Sequence, residues 1–355
     1  MQKLLWVFLF AGLIFRISFY QVGEEVIPNG AKIRITDRVS SEPVNYTDSQ
    51  YVNISGYKIY LPSFPEIHYG DAVVIEGVVD GGKLKNAKLV EVSESTNLFI
   101  GLRNKLLAFY SKSLPSTHAA LVSGVTIGSK SGISSEFWTL LKNTGTLHVV
   151  VASGMNVTLV ASFLIAFLTL FLSRKVAIIF TLGGVWIYAF MSGFDAPIIR
   201  AAIMGSLVFT AQGLGRISDA MRSLFLSFFF MLLLKPEWLW DLGFILSFVA
   251  TLSLMLFESK VYRLISFVPT FFREGLSTSL AAQVGVAPIL FYTFGQLNFL
   301  SPVINALVLW TIAPISLIGM LGGLTGIIFE PLGKVIVILA YPLTGWFIAV
   351  VNLFY

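Results

Sequence analysis

The chain has 355 residues, of which 56% are hydrophobic and 12% are charged. Soluble domains carry about 25% charged residues, and the mean hydropathy here is +0.82, so the composition indicates an integral membrane protein. The net charge of +5 is weak evidence for nucleic-acid binding, because cytoplasmic loops of membrane proteins are enriched in Lys and Arg. The lack of Cys excludes disulfides and thiolate sites, and the few, scattered His residues predict no metal site. No cofactor is expected.

The first apolar segment runs from residue 4 to residue 15 and ends at Arg16. It is shorter than the roughly 20 residues of a full crossing, but a long basic side chain at its end can reach the membrane surface. A secretory signal peptide would need an A-x-A-like cleavage site, and none follows. We therefore predict that residues 1–22 form an uncleaved transmembrane anchor with Lys3 in the cytoplasm.

Residues 28–96 alternate apolar and polar side chains with a period of two, as in "AKIRITDRV", "YVNISGYKIYL" and "DAVVIEGVVD". Gly, Pro, Asn and Asp separate these stretches, which is typical of short antiparallel strands. About four or five such strands in this segment predict a small all-β domain, an OB-like barrel that is closed or nearly closed.

Residues 97–146 are mixed in character and predict amphipathic helices at the membrane surface. In "LFIGLRNKLLAFYSKSL", Arg103, Lys105 and Lys112 occupy polar positions, which favours a helix lying along the membrane. The stretch "SEFWTLLKNTG" predicts a second short helix that begins near Ser134 or Ser135 and ends at Gly145.

Apolar runs dominate residues 147–355 and predict a polytopic α-helical membrane domain. We expect spans near residues 147–172, 176–193, 198–213, 221–234, 238–257, 276–294, 299–329 and 334–355. Pro302, Pro314 and "GMLGGLTG" could each bend the segment 299–329, so one crossing and two crossings both remain open.

The distribution of basic residues supports this topology up to residue 275. With Lys3 inside, the inward loops hold seven basic residues: Arg174, Lys175, Arg216, Arg222, Lys260, Arg263 and Arg273. The outward loops hold only Lys235. Because cytoplasmic loops are rich in Lys and Arg, the β domain is predicted to lie outside the cytoplasm.

Polar residues interrupt the first long span. On a helical wheel His148, Ser153 and Asn156 share one broad face. Gly154 allows close approach of another helix or local unwinding. Two interpretations remain open, a polar lining of an aqueous path and hydrogen bonds that only hold the helices together.

Arg200 lies one turn inside the apolar run that follows Asp195, and Pro197 suits the first turn of that helix. A guanidinium group is costly in lipid, so it must face a partner, water or a ligand. One interpretation is a structural salt bridge with Asp195 or Asp241, and the other is a contact with an anion or phosphate.

The later spans carry further polar and helix-breaking residues. Gly243 and Ser247 are four residues apart, which favours a role in helix packing. Gln283 and Asn305 are amides inside apolar runs, and Pro302 and Pro314 flank or interrupt the same region. Such segments either supply groups to a translocation path or only turn a corner.

Four segments occur in a characteristic order: "TGTLHVVVASGMNVTLVA", "PIIRAAIMG", "LLLKPEWLWDLGFILSFVATLSL" and "NALVLWTIAP". With these segments the chain resembles the ComEC competence-protein family over nearly its whole length. In that family the first segment reads approximately T-G-x-x-H-[LI]-x-x-[IV]-S-G-x-H. This chain has Asn156 in place of the second His, and it has Ile245 in place of a usual Gln.

The resemblance implies a bacterial inner-membrane channel for single-stranded DNA, used in natural transformation, with residues 147–355 as its competence membrane domain. The implied DNA path includes His148, Ser153, Asn156 and Arg200, and it extends to Asp241, Gln283 and Asn305. Candidate strand contacts in the OB-like domain are Lys32, Arg34, Arg38, Tyr57 and Lys58, and a scaffolding role for that domain is the alternative.

The resemblance also implies partners. Many family members carry a nuclease domain with an H-x-H-x-D-H motif, which is absent from this sequence, as is the ATP-binding motif G-x-x-x-x-G-K-[ST]. We therefore expect a separate nuclease, a DNA receptor and a cytoplasmic motor, besides membrane lipid. Whether the chain is a short member or a fragment, and whether it forms a homo-oligomer, remain open.

Two functions other than a DNA channel are compatible with parts of the sequence. "VASGM" is similar to the G-x-S-G of intramembrane serine proteases, but Val151 replaces the first Gly and His148 is badly placed to act as a base for Ser153. No enzymatic activity is therefore expected. A secondary transporter of a small solute or lipid-linked sugar fits the buried polar groups equally well, although no inverted repeat is visible.

Overall fold

The structure is a computed structural model that describes residues 12–13, 16, 27–40, 42–45, 49–151, 153–295 and 298–355. Of the predicted anchor, Gly12, Leu13 and Arg16 are described and are helical. The rest of that prediction lies outside the described residues.

The described part of the N-terminal domain forms a six-stranded sheet in the order β1-β5-β6-β4-β3-β2. Its strands are β1 Lys32–Arg38, β2 Val44–Asn45, β3 Ser49–Ile54, β4 Tyr57–Pro62, β5 Ala72–Asp80 and β6 Lys83–Ser93. Strands β4 and β6 pair in parallel, and the other pairs are antiparallel. Alternate residues of β5 are buried, as the period of two predicts, and they form a core with β3 and β4.

The helices follow the sheet in chain order. They are α1 Leu98–Ser113, α2 Ser116–Ile127, α3 Ser135–Thr144, α4 Leu147–Val150, α5 Gly154–Leu168, α6 Arg174–Met191, α7 Ala196–Gly213, α8 Ala220–Leu234, α9 Leu242–Leu264, α10 Thr270–Phe294, α11 Ser301–Ile328, α12 Glu330–Ile338 and α13 Tyr341–Leu353. A short 3₁₀ helix at Pro236–Trp240 joins α8 to α9.

Five of the described helices, counting α4 and α5 as one, are long and apolar enough to cross a membrane. The segment 299–329 forms the single helix α11, which continues through Pro314, so its length fits one crossing. The predicted final span is instead the pair α12 and α13, bent by 42°. The predicted start of α10 at residue 276 is wrong, because that helix begins at Thr270.

Helix α11 is the centre of the bundle because its glycines let other helices approach closely. A Cβ atom added at Gly323 would clash with Tyr110 of α1, and one added at Gly326 would clash with the ring of Phe109. The Tyr110 hydroxyl donates to the carbonyl of Gly319 at 2.8 Å. The glycine-rich segment is therefore a contact surface for α1 within a continuous helix, and it makes no bend.

The prediction that Arg103 occupies a polar surface position of the helix over residues 98–113 is wrong. The helix α1 is present, but Arg103 is only 2% exposed and belongs to the core. The following helix α2 is almost fully buried and packs against α11. The predicted helix at residues 135–144 is confirmed, because Ser134 accepts a hydrogen bond from the Phe137 N–H and Gly145 ends it in the left-handed conformation.

A buried ion pair joins the β domain to the helices. Arg103 Nη2 lies 2.8 Å from Glu42 Oε1, and Nη1 donates to the carbonyl of Met191 at 3.2 Å. Glu42 also accepts from the Ser129 hydroxyl at 2.5 Å and from the Lys130 N–H at 2.6 Å. We call this group, with Tyr69, the junction cluster. It fixes the loop before β2 to α1 and to the loop after α2, and Arg103 extends the contact to the end of α6.

Tyr69 completes the junction cluster. Its hydroxyl donates to the carbonyl of Phe190 at 2.9 Å, and its ring faces the Arg103 guanidinium with 5.5 Å between Cζ and the ring centroid. Burial raises the pKa of Tyr69, and the nearby charge of Arg103 acts in the opposite direction. The raised pKa keeps the hydroxyl protonated and able to donate.

We predict that Glu42→Gln destabilises the protein by about 3–5 kcal/mol, because it leaves the Arg103 charge buried without an anion. The midpoint of thermal unfolding in detergent measures this. Asp80→Asn is the matched control, since it breaks the exposed pair of Asp80 with Lys85 and should cost less than about 1 kcal/mol. Equal losses in both variants would contradict a dominant role for the junction cluster.

Candidate functional site

The polar residues around Arg200 lie at one end of the helix bundle. Short loops connect α5 to α6, α6 to α7 and α9 to α10, so these neighbouring helices alternate in direction. The N-termini of α5, α7 and α9 therefore lie at the same end as the C-termini of α6 and α10, and Gly154, Arg200 and Ser247 meet there. The β domain contacts that end through Tyr69, whose hydroxyl donates to the carbonyl of Phe190. We call this end of the bundle the polar end.

The predicted continuous helix over residues 147–172 is interrupted. Helix α4 ends at Val150, Ser153 is extended with φ −126° and ψ 164°, and α5 begins at Gly154. The prediction that His148, Ser153 and Asn156 share one helical face is therefore wrong, because the face is not continuous across the break. The break exposes the N-terminus of a helix inside an apolar segment.

Arg200 lies beside this break. Its Nε donates to the Ser247 hydroxyl at 2.7 Å, and Nη1 donates to the Thr251 hydroxyl. A Cβ atom added at Gly154 would lie 2.8 Å from Arg200 Nη2, so Gly154 admits the guanidinium to the backbone of α5. The ring of Phe248 lies 6.0 Å from the guanidinium carbon. Helix α7 thus presents a cation to both α5 and α9.

The predicted salt bridge of Arg200 with Asp195 or Asp241 is wrong. Asp195 instead pairs with Lys130, at 3.2 Å between Nζ and Oδ2. Asp241 caps α9 by accepting from the Phe244 N–H at 2.7 Å, and its side chain is exposed. Across the described parts of the chain, no carboxylate lies within 4.0 Å of Arg200. Hydroxyl groups satisfy some of its donors, but they do not neutralise its charge.

Asn156 is fully buried, on the side of α5 that faces α6. Its Oδ1 accepts from the Ser153 hydroxyl at 3.3 Å, while its Nδ2 has no partner among the described residues. The hydroxyls of Tyr188 and Ser192 are also buried, and Tyr188 lies close to both Ser192 and Asn156. These three side chains therefore form a small buried polar cluster between α5 and α6.

A second polar group joins α10 to the start of α11. Asn305 is 3% exposed and donates to Ser279 at 3.0 Å and to Ser301 at 3.3 Å. Gln283 donates to the carbonyl of Asn298 at 3.3 Å. The Ser301 hydroxyl in turn donates to the Gly145 carbonyl at 3.4 Å. These contacts hold the α10–α11 hairpin against the end of α3.

His148 belongs to this second group rather than to the Arg200 group. Its imidazole lies beside the backbone of Gly145 and is exposed, although the next two residues are buried. No hydrogen bond joins it to Ser153 in the described part of the chain, and the Ser153 hydroxyl points to Asn156. The bundle therefore contains two separate polar groups, one around Arg200 at the polar end and one around Asn305.

The predicted breaking and packing residues take varied positions. Pro197 lies in the first turn of α7 and Pro302 in the first turn of α11, while Pro314 lies inside α11. Gly243 lies in the first turn of α9, near the Asp241 carboxylate. Ser247 was expected to serve helix packing, and in the structure its hydroxyl accepts a hydrogen bond from Arg200.

The candidate strand contacts of the β domain lie on strands β1 and β4. Lys32, Arg34 and Arg38 are exposed on β1, where Arg34 pairs with Glu76 at 3.7 Å. Lys58 is exposed on β4, which lies beyond β5 and β6 in the strand order. Tyr57 packs against the core of the domain.

Two clefts lie away from the polar end. One has a volume of about 600 Å³ and is lined by residues that include Arg174, Lys175 and Gly215. The other, of about 460 Å³, lies between Glu258 of α9 and Glu274 of α10. Both are at the opposite end of the helices, where the basic loops gather.

Sequence reasoning missed several residues of these groups. Thr251, Tyr188 and Ser279 were not selected, because hydroxyls in apolar helices usually bond to their own backbone and carry little signal. Spacing could have found Thr251, since it follows Ser247 by one helical turn and so faces the same neighbour.

The fold and the site define a multi-pass helical membrane protein with an N-terminal β domain and a polar end. The sequence profile of the Competence protein family matches residues 125–355. The chain belongs to the Competence protein family.

A relative gives further context. The chain is 30% identical to ComE operon protein 3 of Bacillus subtilis (strain 168) over 211 residues, which is 59% of this chain and 26% of that protein. It therefore spans about a quarter of the length of this curated relative. No solved structure is significantly similar to the chain.

The environments of His148 and Asn305 can be compared by thiol labelling, because the chain has no Cys. We expect a small water-soluble methanethiosulfonate to modify the His148→Cys variant at least about tenfold faster than Asn305→Cys, since reactivity follows exposure. The rate of modification in detergent-solubilised protein measures this. Equal rates would mean that His148 does not face water.

Proposed function

We propose that the chain forms part of a channel that conducts single-stranded DNA across the cytoplasmic membrane during natural transformation. Its membership of the Competence protein family supports a role in competence. The observation that carries the proposal is Arg200, a cation within the helices that no described carboxylate neutralises.

A DNA strand carries one negative charge per nucleotide and cannot cross hydrocarbon unaided. A path for it needs hydrated polar groups and cations that attract the backbone without holding it too tightly. Arg200, Ser153 and Asn156 supply such groups at the polar end. His148 and Asn305 supply them in a second, separate group. The scarcity of other cations inside the bundle suits conduction, because the strand must also be released.

The β domain is proposed to be an OB-type barrel that guides the strand. Strands β1 and β2 lie on neighbouring chain segments and occupy the two ends of the strand order, so together they would close the sheet. A hydrogen bond of 2.7 Å from Ser55 to Asp37 of β1 supports this closure. Exposed Lys58 and Tyr60 on β4 offer a cation and an aromatic face to a strand.

The polar end and the β domain are proposed to lie outside the cytoplasm. The loops at the other end of the helices carry Arg174, Lys175, Arg216 and Arg222, which favours the cytoplasm for that end. A strand would then pass the β domain, reach the polar end and leave near the basic loops. A receptor, a nuclease and a motor would deliver, process and pull it.

We predict that Arg200→Ala reduces DNA import by about tenfold or more, since a lost charged hydrogen bond costs about 1.5–3 kcal/mol. His148→Ala, which removes an exposed polar side chain from the proposed path, should also reduce import. Transformation frequency and uptake of a labelled oligonucleotide measure this, at matched protein levels in the membrane. Lys112→Ala is the control, because Lys112 is an exposed cation of α1 that lies outside the proposed path. Wild-type import in both test variants would leave only a packing role for these residues.

The same assay separates the rival function. A secondary transporter would move a labelled small solute or lipid-linked sugar in an Arg200-dependent way and would not pass the oligonucleotide.

The topology is tested with single cysteines. We expect a membrane-impermeant maleimide to label Lys58→Cys in intact cells, whereas Arg222→Cys should react only after permeabilisation. Both side chains are exposed, so accessibility in the folded protein does not differ between them. The reverse labelling pattern would invert the proposed orientation.

A further inference from the structure

The N-terminus of α5 is uncapped. The cap residue Ser153 directs its hydroxyl to Asn156 Oδ1 and makes no hydrogen bond to the first turn of the helix. The N–H groups of Gly154 and Met155 have no acceptor among the described residues. A helix N-terminus carries a partial positive charge of about half an elementary charge. No carboxylate among the described residues accepts a hydrogen bond from this positive end.

Arg200 adds a full positive charge at the same point. Its Nη2 lies against Gly154 and has no hydrogen-bond partner in the described part of the chain, while Nε and Nη1 are held by Ser247 and Thr251. Two positive groups so close together repel each other, and a bound anion beside both would offset that repulsion. Because Nε contacts Ser247 and Nη1 contacts Thr251 and Met204, Nη2 is the guanidinium nitrogen that remains available for such an anion.

We propose that Arg200 Nη2 and the first-turn N–H groups of α5 form a binding site for one phosphodiester group of the DNA strand. The identity of this ligand rests on the proposed function, but the anion site itself does not. Guanidinium groups and helix N-termini both bind phosphate oxygens through directed N–H groups. One such site along the path would hold a strand at a single phosphate and let it advance by one nucleotide at a time.

The site can be blocked without removing a charge. In Gly154→Ala the added Cβ would lie 2.8 Å from Nη2 and displace the guanidinium from the helix end. Gly183→Ala is the matched control, because a Cβ at Gly183 of α6 meets nothing within 4 Å. Arg200→Gln removes the charge of the site. If Arg200→Gln does not fold, Gly154→Ala still tests the site.

The test uses the purified full chain in lipid-free detergent. Sodium sulfate and a short oligo(dT) are titrated against sodium chloride at matched ionic strength, and the thermal midpoint is recorded. We expect a saturable rise in the wild type and in Gly183→Ala. The apparent affinity should fall at least about tenfold in Gly154→Ala and Arg200→Gln.

A saturable rise of equal affinity in all four proteins would overturn the site, as would no rise in the wild type. Glycerophosphoglycerol is titrated as a lipid-headgroup probe, and a response to it without a response to oligo(dT) would overturn the assignment to DNA. Arg200-dependent sulfate binding in a protein that imports no DNA would refute the proposed function alone. Unchanged import in Gly154→Ala, with sulfate binding lost, would refute the use of the site in transport.

Discussion

Hydrocarbon offers no hydrogen bonds, so each charge within the helices needs a partner from the protein itself. Two arginines meet this constraint in different ways. Arg103 is neutralised by Glu42, and a backbone carbonyl and an aromatic ring complete its surroundings. Arg200 is held by the hydroxyls of Ser247 and Thr251, and no carboxylate of the described chain lies near enough to pair with it. Arg103 therefore connects the β domain to the helices, whereas the charge of Arg200 is not neutralised by a described carboxylate.

Local signals in the sequence predicted local structure well. The alternation in β5, the caps of α3 and the proline in the first turn of α7 each depend on neighbours within a few residues, so the pattern alone was sufficient. The burial of Arg103 was not predictable, because Glu42 is distant in sequence and lies in another domain. Local unwinding at Gly154 was one of two alternatives open from the sequence, and the sequence could not decide between them, since the segment contains no proline and its apolar run continues on both sides.

Helix α11 explains how a bundle with so many polar groups remains ordered. Its glycines admit α1 at close range, and half of its most apolar window is buried (50%). The corresponding shares in α9 and α10 are 17% and 11%, so that hairpin lies at the periphery. Phe228 and Phe248 give the hairpin an aromatic contact with α8, and the hydrogen bonds from Arg200 provide a polar one. The centre is thus fixed by close backbone contact, and the periphery by a few side chains.

The attachment of α9 to Arg200 has a thermodynamic consequence. The guanidinium that fastens this peripheral hairpin is the same group whose remaining edge faces the end of α5. An anion bound by Arg200 would weaken or strengthen the hydrogen bonds from Arg200 to α9. Thermodynamic linkage requires that changes in those hydrogen bonds alter the affinity for the anion in turn. Displacement of the hairpin would change the affinity for the anion by the same factor by which the anion changes the equilibrium between the two positions of the hairpin. Binding of the anion and the position of the α9–α10 hairpin would then be coupled through the side chain of Arg200.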